Sequence, residues 1–103
     1  MAPELKNIVQ IRKKLEELKP LLEQKYGVEN MGVFGSYTRG EQTKKSDVDI
    51  LVEFARDARI GLLKYVELEL FLSDQLGVKV DLVAKEGLKP TLRDRVLSEV
   101  VYV

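Results

Sequence analysis

Gly35-Ser36, ten residues, then Asp47-Val48-Asp49 is the one stretch of this chain in which residue types unsuited to a core recur at a spacing that chemistry can use. Two carboxylates two residues apart on one exposed strand face repel each other and lose solvation, so the pair is a poor choice unless a cation sits between them. A divalent metal resolves that conflict. Upstream, Met31 to Phe34 reads as a short strand that Gly35-Ser36 brings to an end. Ser36 is then placed to cap a short helix over Tyr37 to Glu41, whose leading N–H groups offer a seat to a phosphate. Gly35 lets the backbone come close to that anion.

The elements that must position these groups are strands. From Asp47 to Phe54, the residues Val48, Ile50, Val52 and Phe54 share one face, and Asp47, Asp49, Leu51 and Glu53 share the other. In Val78 to Val83, Val78, Val80 and Leu82 face one way while Lys79 and Asp81 face the other. If the two strands are neighbours, Asp47, Asp49 and Asp81 converge on one open sheet face, a cluster of hard oxygen ligands suited to two-metal phosphoryl chemistry. Two look-alike motifs fail. Gly35 to Gly40 has the outer glycines of a P-loop, but Glu41-Gln42 stand where Lys and Ser or Thr must bind phosphate and Mg²⁺. An EF-hand is excluded because Ile50-Leu51 follow the Asp pair where an oxygen ligand and a Gly belong.

The arrangement resembles the signature of the polymerase-beta-like nucleotidyltransferase superfamily, in which Gly-Ser, ten residues and Asp-x-Asp mark the nucleotide and metal site. It is most similar to the superfamily's smallest members, the minimal nucleotidyltransferases of bacteria and archaea. The resemblance implies an α/β (α+β) fold, a small mixed β-sheet with helices packed on one face. It implies that Gly35 and Ser36 hold the triphosphate of the nucleotide, and that Asp47, Asp49 and Asp81 are the catalytic carboxylates and the ligands of two Mg²⁺ ions. Arg39 lies in the Arg-Gly pair the family commonly has here and is expected beside the phosphate. Tyr37 and Thr38 stand where the family often carries Arg and Ala, a departure that removes an extra phosphate contact and leaves the metal ligands untouched.

Minimal nucleotidyltransferases are commonly the antitoxin half of a pair whose toxin is a HEPN-domain ribonuclease, and some adenylylate a tyrosine on that toxin. The resemblance therefore implies transfer of AMP from ATP to a hydroxyl of a HEPN partner. Two alternatives stay open: an antitoxin or regulatory subunit that neutralises its partner by contact alone, and nucleotidyl transfer to a small molecule.

Composition narrows the setting. With 103 residues the chain is expected to form one domain, residues 1–103, with one core and no room for a second domain that grips an acceptor. Its 17 basic and 17 acidic residues cancel, so no net field gathers nucleic acid, which argues against polymerisation along a strand. The absence of Cys and His excludes disulfides, zinc sites, thiol nucleophiles and histidine bases. No apolar run of membrane-spanning length and no signal-peptide pattern occurs, so a soluble cytoplasmic protein is the expectation, with an oligomer left open.

Elsewhere the pattern is structural. Leu5, Ile8, Ile11, Leu15, Leu18, Leu22 and Tyr26 line one face of a helix expected over Glu4 to Tyr26, started by Pro3, stopped by Gly27, and kinked or broken near Lys19 by Pro20. A helix over about Leu62 to Leu76 carries apolar residues around more than half its circumference, wider than the roughly 100° stripe a one-sided helix needs, with Phe71 on the remaining polar side. It is expected to be covered on two sides or to offer a surface to a partner. Pro90 opens a short helix with Leu92, Val96 and Leu97 inward, and Val100 to Val103 reads as an edge strand. Lys44 and Lys45 read as solvated loop lysines, and Arg56 and Arg59 carry no assignment.

Overall fold

The computed structural model describes residues 7–103, in which the helical periodicity of the N-terminal segment becomes α1 (Ile8–Tyr26). Asn7 caps it: its side chain accepts from Gln10 N–H at 3.0 Å while Gln10 Oε1 accepts from Asn7 N–H at 3.1 Å, a reciprocal capping box. Pro3 and Leu5, expected to open and line this helix, lie outside the described residues. Pro20 does not break the helix, correcting the expected interruption near Lys19. Glu16, whose carbonyl loses its usual donor, and Pro20 are both exposed, so the missing bond falls on the wet side while Ile11, Leu15, Leu18, Leu22 and Tyr26 stay in the core. Gly27 then ends the helix in the left-handed conformation at φ 70°.

After α1 come β1 (Val28–Phe34), the one-turn helix α2 (Ser36–Arg39), β2 (Val48–Phe54), α3 (Leu62–Leu76), β3 (Val80–Ala84), a 3-10 turn at Lys85–Gly87, α4 (Pro90–Glu99) and β4 (Val101–Tyr102). The sheet order is β3-β2-β1-β4, with β2 and β3 parallel and the other pairs antiparallel. Parallel neighbours need a crossover, and α3 supplies it. Val33, Val48, Ile50, Val52, Val80 and Leu82 turn one sheet face toward α1 and α3, where they join one core with Leu15, Leu22, Leu68 and Leu72. The alternation in β2 is therefore real, and Asp49, Leu51 and Glu53 occupy the opposite face. Among the described residues no helix is long and apolar enough to cross a membrane.

The outer edge of β3 is closed by side chains of α3. Ser73 Oγ accepts from Val80 N–H at 2.9 Å, Glu69 accepts from Leu82 N–H at 2.9 Å, and Tyr65 donates its hydroxyl to Leu82 O at 2.5 Å. These three residues recur every four positions on one helix face, so α3 both covers the exposed ladder and fixes where β3 sits. Phe71 is half-buried against Tyr26, ring centroids 6.2 Å apart, and not on a polar side as expected. The reason is the neighbouring helix: α1 covers a flank of α3 that periodicity alone counts as solvent. The uncovered apolar residues are Leu62, Leu63, Val66 and Leu70. In α4, Val96 is buried but Leu92 is exposed, correcting its inward placement, because this short helix finds cover at only one of its apolar turns.

Candidate active site

The turn after β1 depends on Gly35. Its backbone, φ 81° and ψ −152°, lies in a region that L side chains rarely adopt. A Cβ at this position would fall on Asp49 Oδ2 and lie 3.0 Å from Asp49 Cγ. Gly35 therefore presses the turn against a carboxylate of the next strand, beyond merely leaving room for a ligand. Gly35 also takes the cap position of α2, with no side-chain cap bond, and Ser36 is the first helical residue. This corrects the expectation that Ser36 caps: the chain must leave β1 at a positive φ, which serine does not favour, so the cap falls to glycine. Thr38 Oγ1 donates to Gly35 O at 2.7 Å and Tyr37 is buried in the core, so the two residues that depart from the family pattern hold the turn in place. The Ser36 hydroxyl makes no hydrogen bond among the described residues.

Asp49 and Asp81 are register partners on the parallel pair β2 and β3. Their carboxyls stand near enough to share a proton, and burial first, then the charges of Asp81 and Asp47, push Asp49 up to about 6, with Arg39 pulling the other way. Asp47 lies one residue before β2, with Lys79 Nζ 4.0 Å from its carboxylate; Lys79 is 80% exposed, so this pairing is weak and screened. The structure thus brings Asp49 and Asp81 together and leaves Asp47 adjacent but turned toward Lys79. As the side chains stand, no three carboxylates among the described residues are gathered tightly enough to hold an ion. The donor chemistry still suits a hard divalent cation, because every donor is oxygen and the charges of Asp81 and Asp47 outweigh that of Arg39 at Asp49.

Arg39 is held twice. Its Nε donates to Glu41 at 2.8 Å and its Nη1 donates to Glu99 Oε1 at 3.0 Å, and the same Glu99 oxygen accepts from Gly35 N–H at 2.7 Å. Glu99 is the residue that reading the sequence missed. It ends α4, 64 positions from Gly35 and 60 from Arg39, and no local pattern links residues at that distance.

The family model described as Nucleotidyltransferase domain matches residues 8–103. The protein adenylyltransferase MntA of Thermococcus cleftensis is 52% identical over 82 residues, 80% of this chain and 81% of that protein. Among solved structures, a protein described as a candidate minimal nucleotidyltransferase is 36% identical with a TM-score of 0.79, covering 96% of this chain and 98% of its own. A toxin-antitoxin structure with AMP-PNP is 28% identical with a TM-score of 0.68, covering 94% of this chain and 72% of that one.

Proposed function

The chain belongs to the nucleotidyltransferase domain family and is a nucleotidyltransferase, and from that premise we propose that it transfers AMP from ATP to a tyrosine hydroxyl of a HEPN-domain toxin, which it thereby silences. The observation that carries the reading is the Asp49 and Asp81 pair on the open face of β2 and β3, with the glycine of the phosphate turn in contact with Asp49. The likeness to an adenylyltransferase and to a toxin-antitoxin structure with AMP-PNP supports the donor and the class of partner.

Ser36, with its hydroxyl uncommitted, and Gly35 and Arg39 take the triphosphate. Asp47, Asp49 and Asp81 are the residues that would hold Mg²⁺, which when bound neutralises the triphosphate and acidifies the acceptor. Asp81 is the exposed member of the pair, the one an acceptor reaches first. The acceptor oxygen bonds to the α-phosphorus, the bond to the bridging oxygen breaks, pyrophosphate leaves with that electron pair, and the hydroxyl proton passes to Asp81. Positioning and charge neutralisation supply most of the acceleration.

The test is transfer of label from α-labelled ATP, with Mg²⁺, to the protein encoded by the adjacent reading frame. Asp49→Asn should lower transfer by about a hundred- to a thousandfold. Transfer that survives this substitution, or no transfer to that protein, overturns the reading. Neutralisation by contact is a second reading, favoured by the exposed row on α3, where Leu62 is 77%, Leu63 88% and Leu70 64% accessible. Neutralisation that persists in Asp49→Asn and disappears in Leu63→Glu selects it.

A further inference from the structure

Glu99 Oε1 accepts from the Gly35 N–H at 2.7 Å and from Arg39 Nη1 at 3.0 Å, and on the reading above these are two of the donors that take the triphosphate. A carboxylate oxygen and a phosphate oxygen make the same demand on a donor, a short charge-assisted bond. One N–H has one proton to give, and two anions at that distance repel. Glu99 and a phosphate oxygen therefore exclude each other from this turn.

The carboxylate is delivered there by the chain on either side. Val100 N–H bonds Val96 O at 2.9 Å, closing α4, and Val101 and Tyr102 pair with Val33 and Gly32 of β1. Gly32 has no side chain to push the strand away: a Cβ would lie 2.6 Å from Val100 Cγ2 and 2.9 Å from Val101 O. Nor is Glu99 needed to orient Arg39, because Glu41 already holds the guanidinium at Nε, 2.8 Å away. The contact fits a competitor better than a clasp.

We propose that Glu99 is an internal rival of the nucleotide phosphate, occupying the Gly35 N–H and the Arg39 guanidinium until the triphosphate displaces it, and so setting how tightly the enzyme holds its donor nucleotide. The proposal rests on the phosphate reading of the turn. Calorimetric titration with AMP-PNP and Mg²⁺ tests it on wild type, Glu99→Gln and Glu99→Ala. Gln keeps an acceptor for both donors and removes the charge, so the fold contact survives while the competition weakens.

Both variants should bind the nucleotide about five- to tenfold more tightly than wild type, the range expected for loss of one charge-assisted competitor. With Arg39→Gln in the background the gain should shrink. Equal or weaker binding by Glu99→Gln overturns this proposal alone and makes Glu99 an orienting residue, whereas binding by none of the proteins overturns the phosphate reading with it.

Discussion

The two halves of the site are held by different forces. Asp49 and Asp81 stand on β2 and β3, which pair over five register positions, and the outer edge of β3 is sealed by Tyr65, Glu69 and Ser73 above buried Leu68, Leu72 and Leu76. Gly35, Ser36 and Arg39 follow the end of β1, whose ladder with β4 has two register pairs, and Arg39 is gripped by the exposed Glu41 and the half-buried Glu99. Salt and competing anions act on the second half and hardly on the first. On the proposed reading, an enzyme that must keep Asp49 and Asp81 fixed, yet release pyrophosphate at every turnover, is served by this division.

The substitution that breaks the division most severely is Gly35→Ala, since that position belongs to both halves. Strain at φ 81° and collision with Asp49 should lower AMP transfer by at least about a hundredfold and cost about 1–3 kcal/mol in denaturant unfolding. Ser73→Ala attacks the sealed half alone: it leaves Val80 N–H without its partner, and unfolding should cost about 1–3 kcal/mol at low and at molar salt alike. Arg39→Gln attacks the other half, with stability in denaturant unfolding unchanged and AMP-PNP affinity down about tenfold, a loss that added salt should mask.

The smallest effect is the pH dependence of the metal-free protein. Asp49 is raised from 3.8 to about 6, so the folded state holds its proton more tightly than the unfolded chain between those values. Stability is then full below about pH 4 with respect to this group and falls as pH rises through about 6, on the order of 1–2 kcal/mol after allowance for solvent screening. Melting scans should show that slope in wild type, and Asp49→Asn should flatten it.

Much of this was legible because it is local. Period-two alternation in β2 placed Asp49 and Leu51 opposite Ile50 and Val52, and the bounds of α3 followed from its apolar run and Gly77. Closeness in space was legible for Asp49 and Asp81, whose matching strand polarity anticipates their pairing, and not elsewhere. Phe71 reads as polar-facing because the flank that α1 covers has no signature in the sequence of α3, and Leu92 reads as inward because burial depends on which neighbours cover α4. The cap of α2 went to Gly35 because a tertiary constraint, contact with Asp49, set a backbone angle that a capping preference does not foresee. Glu99 gave no signal at all, since its partners meet it only after four strands have assembled.

The closed border of β3 also bears on self-association. Fibrils that grow by strand addition need each molecule to offer two open borders, one to be added to and one to add. With the N–H groups of Val80 and Leu82 already engaged by α3, the sheet of the described residues offers only the β4 side, so pairing of folded molecules through that sheet terminates after a single partner instead of propagating.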